Sequence, residues 1–321
     1  MSHPYNDFDE VGSSITGTDG NILLKSGLDA ESSTFLATDE TNSFLTFSDA
    51  IKIKTVSGST ENIQIGTNQT IDSGSTNAIQ IGNGSSAEGD GTFCIGALAQ
   101  TEGLGTFALG GESKAKGLAC ISIGGQSGTL NYTQDLTVNI GLNAGGDANA
   151  SDSIHIGHQS GKTSSISVTD RILIGKNAGL LNAETNSVCI GKDAGRSMAS
   201  GNDNNICIGK EAGRDLTPSN TFNVICIGEN TGDNNARQCS INIGRRAGFS
   251  GAGRSSINIG ELANASGGGH SSCIVLNAQL AGSLNAAGPN RFYVKPIRNE
   301  TTLTGFSSLY YNPTTGEICY N

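Results

Sequence analysis

Thirteen times between residues 63 and 260 the chain spells an apolar residue, any residue, Ile or Leu, and then Gly. The copies run Ile63-Gln64-Ile65-Gly66, Ile79-Gln80-Ile81-Gly82, Phe93-Cys94-Ile95-Gly96, Phe107-Ala108-Leu109-Gly110, Ile121-Ser122-Ile123-Gly124 and on to Ile257-Asn258-Ile259-Gly260. A fourteenth, Ile274-Val275-Leu276-Asn277, ends in Asn. The apolar pair is two residues apart, so on a β-strand both side chains share a face. Glycine then suits a backbone that turns where a Cβ would clash or φ is positive. Successive glycines lie 14 to 19 residues apart. That is too short for a helix pair or a propeller blade, and right for one coil of two short strands and two turns.

A second column supports a stack of coils. Three residues after the glycine the side chain is small in all twelve copies from Gly82 to Gly260, from Ser85 and Ala99 to Ala247 and Ala263. From Gly141 to Gly244 another glycine follows it, as in Ala194-Gly195. A fixed small position beside a turn means that another backbone passes close by. One coil holds too few apolar side chains to be stable alone, so stacking has to build the core. The fold expected is all-β, a parallel β-solenoid of about 14 coils.

The middle residue of each triplet points away from the apolar pair. Its occupants run Gln64, Gln80, Cys94, Ala108, Ser122, Asn139, His155, Leu173, Cys189, Cys207, Cys226, Asn242, Asn258 and Val275, and none is charged. With the Ile pairs assigned to the core, this column reads as an inter-subunit face, most simply around a threefold axis.

Composition narrows the classes. With 46 Gly and 15% charged residues the chain could pass for disordered, but the regular Ile column argues against it. There is no apolar stretch of roughly 18 residues, so no membrane insertion is expected. Met1 to Val11 lacks a basic-then-apolar leader, so synthesis in a host cytosol with no signal peptide is expected. Residues 1–50 hold nine Asp or Glu against Lys25 alone, and the remainder is near neutral, so no nucleic acid partner is expected. The eight cysteines form no CxxC pair, and Cys189, Cys207 and Cys226 fall in the middle column on consecutive coils. They read as small fillers at the interface rather than as disulfides or metal ligands.

Three regions follow: an acidic attachment and strand region at 1–58, the solenoid at 59–288, and an aromatic-rich β cap at 289–321. The first holds strand candidates such as Asn21 to Lys25, Thr34 to Thr38 and Ser43 to Phe47. The last holds four of the six tyrosines with Phe292 and Phe306, and is expected to close the stack by burying them.

The 14-residue copies, as in Gly91-Thr92-Phe93-Cys94-Ile95-Gly96-Ala97-Leu98-Ala99-Gln100, resemble the head repeats of YadA-like trimeric autotransporter adhesins. The resemblance covers roughly residues 60–285 and implies a left-handed β-roll that associates as a homotrimer. The absence of a leader and of a membrane-anchor strand set departs from that family. Phe292-Tyr293-Val294-Lys295-Pro296-Ile297-Arg298 and Leu309-Tyr310-Tyr311-Asn312-Pro313-Thr314-Thr315-Gly316-Glu317-Ile318 instead resemble the ends of trimeric fibre proteins from tailed phages and large DNA viruses.

No catalytic, cofactor or metal motif stands out. His155, His158 and Asp152 lie close in sequence, but strand and turn directions diverge, so no metal site is expected there. Gly201-Asn202-Asp203-Asn204-Asn205 reads as an ordinary turn. The function expected is a non-enzymatic structural fibre or spike on a virion surface or tail. It would join a baseplate or capsid protein through its N-terminus and attach to a host surface glycan or protein. Receptor-binding residues are unknown, with the cap and long loops the places to look. The alternatives are the tail fibre of a bacterial contractile injection particle and a glycan-degrading β-solenoid enzyme. The enzyme would need paired carboxylates in loops 129–135, 180–187 or 215–223.

Overall fold

A computed structural model describes residues 62–320, apart from 66–67, 69, 72–74, 129–134, 182–184, 199–201, 217–220, 235, 267, 300, 302–304 and 306. The acidic leader and its strand candidates lie outside the described residues. What is described has no helix and forms a parallel β-solenoid of about twelve turns. All fourteen triplets are strands of one sheet, from Ile63–Ile65 to Ile274–Asn277, and Phe292–Lys295 adds a fifteenth. Pairing is parallel and in register, so each triplet position makes a straight column, as in Val188↔Ile206, Cys189↔Cys207 and Ile190↔Ile208. The far side of the coil is a four-stranded sheet in the 14-residue coils, from Thr70–Ile71 to Lys114–Lys116. Later it shortens to the pairs Asp147–Ser151 with Thr163–Thr169 and Ser197–Met198 with Asp215–Leu216, plus single bridges such as Asn234↔Ser250.

The repeat's glycine has a direct cause. Gly82, Gly96 and Gly110 have φ of +138°, +136° and +137°. A Cβ on Gly82 would lie 2.3 Å from the Gly96 carbonyl oxygen one coil on. Two residues later the chain is left-handed again, even where the residue is not Gly, as at Leu98, Glu112 and Arg246. The fourteenth copy carries Asn because its strand runs straight on. Asn277 pairs with Lys295, and its Nδ2 donates to the Glu261 and Gly282 carbonyls at 2.6 and 3.0 Å.

The structure inverts the expected faces. The middle column from Gln80 to Val275 is the interior, with every member at most 1% exposed. The flanking Ile, Leu, Val and Phe residues are half-buried or exposed, and none is buried. One 14-residue coil buries Cys94, Ala99, Thr101 and Thr106, and the next buries Ala108, Ser113, Ala115 and Cys120. Those two coils hold only small side chains inside, whereas longer coils also bury His155, Leu173 and Leu216. In both, alternation turns the flanking pair away from the residue that faces inward. The expectation that the middle column, with its cysteines, forms an interface is therefore wrong. Cys94, Cys189, Cys207 and Cys226 fill the core of their own chain. The small column after the glycine is buried throughout, as expected.

Candidate functional site

Exposing the Ile pairs makes an unbroken apolar strip along the principal sheet, two side chains wide. Ile121, Ile154 and Ile172 are each 37% exposed, and Ile65 and Ile274 exceed that. At its lower end Phe93 and Phe107 stack with ring centroids 4.8 Å apart and planes 1° from parallel. Such a strip, without a charge in either column, is a continuous apolar surface feature of the described residues.

The interior is polar where the middle residue is polar, and some of these groups bond from coil to coil, as Asn258 Nδ2 does to Asn242 Oδ1 at 2.8 Å. His155 Nδ1 donates to Asn139 Oδ1 at 2.7 Å, and Arg171 Nη2 donates to His155 Nε2 at 3.1 Å. All three are at most 1% exposed. Burial, and then the charge of Arg171, hold the imidazole well below its ordinary pKa, so it is neutral. Both ring nitrogens are engaged, and Asp152 and His158 are not part of the group. The histidine is a core residue.

Asn202 and Asn205, expected as turn residues, are buried staples instead. Asn202 Oδ1 accepts from the Thr221 backbone N–H at 2.7 Å, and Asn205 Oδ1 accepts from that of Val224 at 2.9 Å, one coil on. The residue just before a triplet, as Asn205 is, plays this part in other coils too. Asn62 accepts from Ala78, Ser153 from Arg171, and Ser256 from Cys273. The recurrence of Ser, Thr or Asn at nine of these fourteen positions was legible in the sequence and was missed. Along the cysteine column, hydrogen bonding with Cys189 and Cys226 above all, together with burial, holds the Cys207 thiol well above its ordinary pKa.

One carboxylate cluster has shifted electrostatics. Arg214 meets Glu211 at 2.8 Å, Asp233 at 3.0 Å and Asp215 at 3.2 Å. Asp233 is 1% exposed and accepts no aligned hydrogen bond. Burial pushes its carboxyl up to about 6, against the pull of Arg214 and with a push from Asp215 and Glu211. A guanidinium fills the centre of this group, and Asp233 does not face solvent, so the geometry is that of a coil-to-coil ion pair.

The C-terminal segment does not bury its aromatics as expected. Tyr293 packs on the last core cluster, around Val275 and Leu284, and its hydroxyl accepts from the Ala287 N–H at 2.9 Å. Leu309, Tyr310, Tyr311 and Ile318, on the hairpin of Leu309–Tyr311 with Ile318–Tyr320, are all exposed.

No known protein family matches the chain, and no curated protein matches it.

Proposed function

We propose that the chain is the subunit of a homotrimeric fibre or spike, displayed on a virion and attaching it to a host surface. The observation that carries this reading is the apolar strip. A strip of fourteen rungs at about 4.8 Å, roughly 10 Å wide, covers about 650 Å² per copy, close to the ~800 Å² per partner of a standard interface. Water would face an isoleucine column over the full height of the solenoid, so burial against further copies of the same strip is strongly favoured. The threefold order is supported by the resemblance of the 14-residue coils to trimeric adhesin heads. A rigid rod with variable loops on its outside suits display, because loops on a stiff scaffold carry recognition.

Light scattering tests the assembly. Three times the 32.8 kDa chain mass is the expected result. Ile172→Lys with Ile227→Lys, which place charges on the strip but not in the core, are expected to release folded monomer. Twice the chain mass would replace the threefold arrangement by a twofold one, and a monomeric wild type would overturn the reading. Competition for virion binding to host cells by the isolated protein tests the attachment step, and no competition at saturating protein would reduce the role to structure alone.

A further inference from the structure

The C-terminal hairpin is well formed yet uncovered. Its turn is closed by the Asn312 N–H donating to the Glu317 carbonyl at 2.9 Å, and Asn312 Oδ1 accepts from the Thr314 N–H at 2.9 Å. Register pairs Tyr311 with Ile318 and Leu309 with Tyr320. That places Leu309, Tyr311 and Ile318 on one face, with Tyr310 and Cys319 on the other. The first three are 75%, 65% and 60% exposed. A two-stranded hairpin is marginal in water and needs its apolar face packed on something. This chain leaves that face bare.

A receiving site lies at the same end of the solenoid. A cavity of about 370 Å³ is lined by Ile259, Leu276, Ala278, Val294, Lys295 and Pro296. It continues the third-position column of the Ile strip, and has room for a large side chain. Thirteen residues, 296–308, separate Lys295 from Leu309. Extended, they reach about 40 Å, well beyond the ~10 Å between packed sheets. Lys295 at the groove and Glu317 beside Ile318 carry opposite charges.

We propose that each copy's hairpin is a clasp whose Leu309, Tyr311 and Ile318 face seats in the Ile259–Pro296 groove of the neighbouring copy. This rests on the self-assembly reading and specifies what locks one end of the assembly. The clasp covers two apolar surfaces that the single chain leaves open at this end, and it ties the copies in a closed cycle in which each gives one hairpin and receives one.

The test is a cross-link in the full chain. With the exposed Cys239 and Cys319 changed to Ser, Ala278→Cys and Tyr311→Cys are combined and oxidised mildly. Covalently linked chains on a non-reducing gel are expected from the double variant and not from either single one. A second variant, Leu309→Glu with Ile318→Glu, is checked for folding by circular dichroism. Its dissociation by dilution is expected at a concentration at least tenfold higher than for wild type. A wild-type trimer by light scattering with no inter-chain link, and with unchanged dissociation in the Glu variant, overturns the clasp and leaves the assembly standing. A wild-type monomer overturns both.

Discussion

Gly213 and Cys207 share one space inside the solenoid: a Cβ on Gly213 would stand 2.4 Å from the Cys207 Sγ. The same distance relates Gly195 to Cys189 and Gly232 to Cys226. In these three coils the second glycine thus has two causes, a left-handed φ of +56° at Gly213 and the middle-column sulfur opposite it. Gly213→Ala is expected to destabilise by about 3 kcal/mol, from φ strain plus overpacking. Cys207→Ala empties the contested space, so the double variant should be more stable than the sum of the singles by about 1–2 kcal/mol. Thermal unfolding of the four proteins measures the coupling, and simple additivity would show that the contact does not matter.

The turn glycines should divide into two classes. Gly175, with φ +133°, has the Gly191 carbonyl oxygen 2.5 Å from where its Cβ would be. Gly175→Ala is expected to cost more than about 3 kcal/mol and to yield insoluble protein. Gly105, with φ +64° and nothing within 4 Å, should accept Ala for about 1 kcal/mol. Soluble yield and melting temperature compare the two directly.

Two buried groups give opposite pH dependences. Asp233 is held at about 6, above its ordinary 3.8, so the folded state binds the proton more tightly. Its burial therefore costs stability at neutral pH, and that cost is relieved as pH falls from 6 toward 4, by about 1.4 kcal/mol per pH unit at most. The stability gained by Asp233→Asn should be largest above pH 7 and shrink on acidification. His155, held below its ordinary 6.5, acts the other way, and its stability is lost as pH falls below 6.5. Melting curves of wild type and Asp233→Asn between pH 8 and 4 separate the two, and a pH-independent difference would refute the assignment to Asp233.

Thiol reactivity reports which face of the triplet is inside. Six of the eight cysteines are buried, and Cys239 and Cys319 are exposed. Burial pushes the Cys94 thiol up to about 11. No more than two thiols per chain should react with a colourimetric disulfide reagent in native buffer, and all eight after unfolding. Rapid labelling of a third thiol would mean that the middle column is reachable from solvent.

A left-handed position offers a stabilising change. Leu136 has φ +54° and is 58% exposed, in the column where Asn77, Asn186, Asn204 and Asn223 stand in other coils. Leu136→Asn is expected to raise stability by about 0.5–1 kcal/mol, because Asn tolerates this conformation better than Leu. A lower melting temperature would show that the Leu136 side chain packs on something.

The strands, the coil length and the turn glycines were all legible in the sequence, because each follows from a local rule about alternation or steric room. The Asn at the fourteenth copy was also visible, but its cause needed Lys295 beside it. The staples at Asn202 and Asn205 read as turn residues because their partners, the Thr221 and Val224 N–H groups, are 19 residues away. Nothing local distinguishes a polar side chain that turns the chain from one that ties two coils.

What the sequence determined by itself is therefore the rung: an apolar pair on one face, an uncharged residue on the other, and a glycine that lets the next coil approach. Alternation tells which residues share a face, but it does not tell which face is inside. The tertiary structure decided that: the coil closes around the middle column, which fills the interior with Ala, Ser, Cys and Asn in most coils and with His155 and Leu173 in two of the longer ones. It also decided the long-range partners, His155 with Arg171 and Asp233 with Arg214, which meet only because the coils stack in register. The flanking apolar residues then stand on the outside, because alternation turns them away from whichever residue faces inward.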